Sequence, residues 1–361
     1  MAIDFEEQRW DYIKSVYSKW WAGTLKRPII PVIIKGRKPE RSEPITPLLS
    51  QETSLDFSYS AEDIIDRIDY ELSQNIYLGD AFPYFNMDCF GPGVLAAFLG
   101  AKADNATGNI WFFPETELEL KDMHFTYQPD NAFFKRVKDI YRVGVQRWNG
   151  RVVMGMVDLG GVLDVLATFR STEKLLMDLY DQPEEVLRLV QEIHELWLRY
   201  FKELNEILAL GNNGYSDWAK IYSEQPTYVI QCDFSYMIST KMFVKFAKNE
   251  LEMLAQKIPN TIYHLDGPGE IKHLEQLLQI KEINAIQWVP GAGSPPQTAW
   301  PEIYQKIAAS GKGIQLWEGF ETLDIIAEQI GSYQGLLHWE IYEELENLDT
   351  VLHKLKKYEI A

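Results

Sequence analysis

An imidazole and a carboxylate stand two residues apart in Thr261-Ile262-Tyr263-His264-Leu265-Asp266-Gly267-Pro268-Gly269. Side chains alternate across a strand, so Ile262, His264 and Asp266 share one face while Tyr263 and Leu265 take the other. A neutral imidazole beside a carboxylate suits ligation of zinc or a similar divalent ion, or acid–base work in which the Asp only orients the His. A structural His–Asp hydrogen bond explains the same spacing equally well. Gly267, Pro268 and Gly269 stop the strand and open a turn, after which Ile271, Leu274, Leu277 and Leu278 begin a helical spacing. A strand that ends in polar groups and runs through a loop into a helix is the unit in which α/β barrels hold their chemistry.

The elements that must position this pair recur along the chain. Trp10, Ile13, Tyr17, Trp20 and Trp21 lie near one helical face, ended by Gly23, which predicts an N-terminal helix within 1–24. Residues 27–35 (RPIIPVIIK) read as a strand buried on both faces, as does 152–158 (VVMGMVD). Residues 38–60, with Pro39, Pro44 and Pro47, read as a long loop or lid. Pro183, Glu184 and Glu185 suit the first turn of a long helix whose stripe runs through Val186, Val190, Ile193, Trp197, Phe201, Leu204 and Leu208. Strands over 228–233, 261–266, 285–289, 313–318 and 335–340 then alternate with helices over 242–258, 300–309 and 323–330. Repeated β-then-α units predict a parallel sheet, and their number predicts an α/β fold: one (β/α)8 TIM barrel spanning 1–361 with an N-terminal helical extension.

Composition removes several function classes. A formal charge of −18 disfavours nucleic acid and anionic membrane surfaces, which need clustered Lys and Arg. No apolar run approaches the roughly 18 residues of a membrane helix, and the acidic N-terminus does not read as a signal peptide. Two distant cysteines, Cys89 and Cys232, make no disulfide framework, which places the chain in a reducing cytoplasm. No GxGxxG or GxxxxGK[ST] element opens a helix, so dinucleotide and P-loop folds lack support.

Five successive strand ends carry polar or aromatic groups: Cys232 and Asp233, His264 and Asp266, Gln287 and Trp288, Trp317 and Glu318, His338 and Glu340. Singly, each is best read as a solvated end or a satisfied core hydrogen bond. Together they predict a ring around one pocket for a small molecule. If a metal is bound, His264 and Asp266 are its first ligands, with His338 as the third and Cys232 and Glu318 as the next choices.

Further residues carry a resemblance over most of the chain. Arg27-Pro28 with Gly36-Arg37, Gly79-Asp80 after Ile76-Tyr77-Leu78, Asp181-Gln182-Pro183-Glu184-Glu185-Val186, the segment QCDFSYMIST with Asp233, Ser235 and Ser239, and Asn347-Leu348 are similar to motifs of the uroporphyrinogen decarboxylase superfamily. That superfamily also contains zinc-dependent corrinoid methyltransferases. The resemblance implies a lyase that needs no cofactor, in which Asp80 stabilises a cationic intermediate and Arg37 holds a carboxylate beside it. Two departures pull away from that reading. Ile33 stands where the decarboxylases place an arginine, and a polycarboxylate macrocycle needs several guanidinium groups. His264-x-Asp266 stands where the methyltransferases place a His-x-Cys zinc pair, with His338 near a later ligand.

Three classes follow: a decarboxylase using Asp80, Arg37, Asp233, His264 and Asp266; a zinc methyltransferase with a corrinoid protein as partner; and a catalytically silent binding barrel. In each, Trp218, Trp288, Trp317, Glu318 and Trp339 are expected to line the ligand. A homodimer is among the expected assemblies.

Overall fold

In the computed structural model, which describes residues 3–360, the strands are β1 (Pro31–Lys35), β2 (Ile76–Gly79), β3 (Tyr84–Phe85), β4 (Lys102–Asp104), β5 (Trp111–Phe113), β6 (Val153–Met154), β7 (Thr227–Ile230), β8 (Asn260–Asp266), β9 (Ile283–Val289), β10 (Gly313–Leu316), β11 (Leu336–His338) and β12 (Ile341–Glu344). Five of them form a parallel sheet in the order β11-β10-β9-β8-β7. Its register aligns His264 with Gln287, Gln287 with Gln315, and Leu316 with His338. The expected first strand is regular only from Pro31, but Ile29 still bridges to Leu337 in parallel. β1 pairs in parallel with β12 and antiparallel with β2, so the start of the chain meets its end.

The expected strand over 152–158 shortens to Val153–Met154, paired with β3. Beyond it, tyrosine hydroxyls replace ladder partners. The Tyr141 hydroxyl donates to the Gly155 carbonyl and accepts from the Val157 N–H, both at 2.8 Å, and the Tyr228 hydroxyl accepts from the Leu159 N–H at 2.7 Å. Among the described residues the fold is therefore mixed α/β around a five-stranded parallel sheet, and the four hydrogen-bonded sheets do not join into one continuous ladder.

Pro183–Leu208 forms a helix of 26 residues, and every member of its predicted stripe is buried. The N-terminal helix spans Glu7–Trp21, and Gly23 ends it at φ +67°, its N–H donating to the Trp20 carbonyl at 2.8 Å. Its buried residues Trp10, Tyr17 and Trp20 join Ile29, Val229, Ile262, Ala285 and Leu337 in one cluster. Ile262 shares a strand face with His264, so this helix covers the site-bearing face of the sheet below the site. The opposite face, with Tyr263, Leu265 and Trp288, packs into the main core among the surrounding helices. Residues 38–60 contain turns but no helix or strand. The helix expected over 242–258 is broken by a π turn at Val244–Lys248.

Candidate metal centre and tryptophan cavity

Strand alternation places His264 and Asp266 on one face of β8, and Gly267 ends the strand at φ +78°. There a Cβ would stand 3.0 Å from the Tyr236 ring in a backbone conformation that L-residues avoid. Asp233 reaches the same place from the 3-10 turn Asp233–Met237 that follows β7. That turn is anchored by Asp164, whose carboxylate accepts from the N–H groups of Asp233 at 3.1 Å and Phe234 at 2.6 Å. One ligand atom each from Asp233, His264 and Asp266 lies within 4.8 Å of the others. Three points so spaced always admit a centre within about 2.8 Å of each, so modest side-chain closure reaches the roughly 2.0–2.2 Å of zinc ligation.

The tautomer of His264 follows from a chain of amides. The Ala219 carbonyl can only accept, so Gln315 turns its amide nitrogen toward it at 2.8 Å. Gln315 Oε1 then accepts from Gln287 Nε2 at 2.7 Å, which leaves Gln287 Oε1 to face His264 Nδ1. An amide oxygen cannot donate, so Nδ1 carries the proton and Nε2 keeps its lone pair. Burial pushes the imidazole below its usual range against the pull of Asp266, which keeps it neutral near pH 7. A neutral imidazole with its second nitrogen hydrogen-bonded is the form in which histidine binds metals.

Acid crowds this end of the sheet. Burial raises Asp158 to about 6, and burial with Asp233 raises Asp164 to about 7. Burial, then Asp266 and Asp158, pushes Asp233 up to about 7, a shift moderated by the solvent that reaches its exposed side chain. Glu270 is fully buried and pushed well above its usual range by burial, then by Asp233 and Asp164. Its Oε2 accepts from the Asp266 N–H and the Tyr263 hydroxyl, both at 3.3 Å. So dense a set of carboxyl groups is stabilised either by protons or by a bound cation.

Beside His264 lies a cavity of about 370 Å³ lined by Trp218, His264, Gln287, Val289, Trp317 and Trp339. Trp218 meets the His264 ring edge-on at 5.2 Å, and Trp317 meets Trp339 at 6.3 Å and 80°. Three of the four expected tryptophans thus line one space. Trp288 does not: it is fully buried on the other face of β9, against Trp300 at 5.3 Å, because alternation points Gln287 and Val289 inward. Glu318 is exposed, outside the lining, and its carboxylate accepts from the Gln297 N–H at 3.3 Å. A larger groove of about 790 Å³ lies at the N-terminal ends of β9, β10 and β11, where Ile283, Gly313 and Gly335 line it with no acid, histidine or cysteine.

The remaining expected site residues are placed elsewhere. His338 accepts from the Gly319 N–H at 2.9 Å through Nε2 and donates from Nδ1 to the Trp339 carbonyl at 2.5 Å. Both ring nitrogens are engaged, and His338 lies outside the cluster that His264 and Asp266 form, in which the third group is Asp233. Cys232 is buried, its thiol raised well above the usual range by burial and by Asp164, and it lies outside the group. Asp80 does not pair with Arg37. It is fully buried, with Oδ1 accepting from Tyr12 and Arg27 Nη2 and Oδ2 from Arg27 Nη1 and the Ile30 N–H, each at 2.8 Å. All its strong acceptor positions are used in tying the N-terminal helix to β1. Arg37 instead reaches Asp4 at 3.5 Å and the Ser73 carbonyl at 3.3 Å. Asp158, Asp164, Gln315 and Glu270 were missing from the expected site. Asp158 alone had a sequence signal, at the end of VVMGMVD, where Asp233 and Asp266 stand in their own segments.

No protein-family model and no curated protein sequence matches the chain. Among solved structures, the chain is similar to a methyltransferase from Methanosarcina mazei, with a TM-score of 0.59 at 11% sequence identity, over 96% of this chain and 99% of that one. Identity that low shows a shared fold, with the superfamily resemblance resting on the motifs alone.

Proposed function

We propose that this chain is a metal-dependent methyltransferase that binds one zinc or similar divalent ion through Asp233, His264 and Asp266. The observation that carries the reading is the convergence of these three donors beside a substrate-sized cavity. Two carboxylates and a neutral imidazole form a hard, charge-balanced set for a dication. Once bound, the ion would act as a Lewis acid on a thiol or an ether oxygen. The chain's own tasks are separate: Gln287 and Gln315 hold the His264 proton on Nδ1, Asp164 holds the Asp233 turn, and the tryptophans exclude water around the reacting group. The overall likeness to a methyltransferase supports this reading over decarboxylation. So does the site itself, since no guanidinium lines the cavity and Asp80 is committed to Arg27. We further propose a corrinoid protein as the methyl-exchange partner, and a (β/α)8-type barrel whose strands, among the described residues, are not all joined by ladder hydrogen bonds as the architecture.

Metal analysis of protein purified without chelators tests the proposal. Stoichiometric zinc, lost in His264→Ala but kept in His338→Ala, is the expected result. Metal-free wild type that still turns over a substrate would overturn it.

A further inference from the structure

We propose that the tryptophan cavity is a cation cage that takes a small methylated ammonium group. Trp218, Trp317 and Trp339 are three of the six residues that line the cavity, and the Trp317 and Trp339 rings stand at 80° to each other, so the lining presents indoles in at least two orientations. Indole is the strongest π-face for an organic cation, and cages of this kind hold quaternary ammonium ions.

Charge selects among the ligands that could fill such a space. His264 lines the cavity, and a donor atom of its ring lies within 4.8 Å of oxygens of Asp233 and Asp266. No lysine or arginine is among the lining residues. Lys220 stands beside the cage, its ammonium 5.7 Å from the Trp339 ring, but it pairs with Glu340 at 2.9 Å and the Tyr342 hydroxyl at 3.1 Å. In the metal-free protein an anionic ligand would meet carboxylates with no counter-charge in the lining. A neutral arene would gain stacking alone, whereas a methylated ammonium gains from the indoles with or without a metal and, in the metal-free protein, also from the acid beside them.

The backbone around the cage is held in an unusual conformation. Glu318, directly after Trp317, has φ +75°, and Lys220, two residues after Trp218, has φ +61°. Non-glycine residues enter this region at a cost and tend to do so at ligand sites. Both stand in loop segments that carry cage tryptophans.

The inference rests on the methyl transfer proposed above only in adding a recognition group, a methylated ammonium carried by the molecule whose thiol or ether oxygen the metal would meet; binding to the cage itself requires neither metal nor turnover. Tetramethylammonium and choline are titrated into the wild-type protein with tryptophan fluorescence and calorimetry as readouts, alongside anisole and 3,3-dimethylbutan-1-ol, the neutral isostere of choline. Both cations should bind, with the isostere at least tenfold weaker, and Trp317→Leu should weaken choline at least tenfold while Trp317→Phe retains part of the affinity. Equal binding of choline and its isostere, preference for anisole, or no binding of either cation would overturn the cage. Should the Trp317 variants fail to fold, the wild-type comparison of choline with its isostere decides alone. Choline binding by protein that holds no metal as purified without chelators and takes up no added zinc would keep the cage and remove the metal-dependent reading; stoichiometric zinc without choline binding would do the reverse.

Discussion

Replacing Gln287 by Leu cuts the amide chain at its centre while keeping a side chain of similar volume. In the native protein, Gln287 accepts from His264 Nδ1 and donates to Gln315 Oε1 at 2.7 Å, and Gln315 is anchored on the Ala219 carbonyl. The Leu variant leaves the His264 Nδ1–H and Gln315 Oε1 without partners in a buried setting. Each orphaned group costs about 1–3 kcal/mol, so the fold should lose roughly 2–6 kcal/mol. Metal affinity should fall about tenfold to a hundredfold, the usual effect of losing the partner of a ligating histidine, or about 1.4–2.8 kcal/mol. Competition with a chromogenic chelator measures the affinity, urea titration the stability, and nitrogen-15 shifts of the imidazole in metal-free protein the tautomer. Gln287→Glu separates the two effects: its carboxylate still accepts from Nδ1–H, so affinity is held while stability drops, because Gln315 still loses its donor. An unchanged metal affinity and an unchanged Nδ1–H tautomer in Gln287→Leu would refute the relay.

Asp80→Asn should destabilise the fold by about 3–5 kcal/mol, because it leaves the Arg27 guanidinium, only 15% exposed, without its counter-charge; urea unfolding within about 1 kcal/mol of wild type would show that this pair is not the anchor described. Burial raises Asp217 from 3.8 to about 7 in the folded chain. Its contribution is therefore fully present below the unfolded value, and on the order of 2–4 kcal/mol is lost as pH rises through 7. Asp217→Asn should shrink the stability difference between pH 5 and pH 8, and an identical difference in the variant would contradict that assignment. Trp288→Phe should lower stability by about 1–3 kcal/mol through lost packing against Trp300, with ligand affinity in calorimetry unchanged, since Trp288 lies on the far side of the sheet from the cavity.

Local pattern was enough for much of this molecule. The stripe from Val186 to Leu208 predicted a buried helix face because a 3.6-residue repeat needs no knowledge of what it packs against. The period of two put His264 and Asp266 on one face in the same way, and it also carried the correct answer for Trp288, which sits one residue out of phase with the inward Gln287. The β-then-α rhythm gave the parallel sheet, although the tyrosine hydroxyls that shorten the 152–158 strand lie outside any local pattern.

Partner choice was decided only in three dimensions. Asp80 takes Arg27, 53 residues away, rather than Arg37, because Asp80 N donates to the Ile30 carbonyl and so seats the carboxylate at the start of β1. His338 looks like a ligand in sequence, but strand register and the turn at Gly319 consume both its nitrogens. Gln315 joins His264 through contacts spanning 23, 28 and 96 residues. Periodicity records which way a side chain points; which atoms it meets depends on register and loop conformation, and both are fixed by the packing of the whole chain.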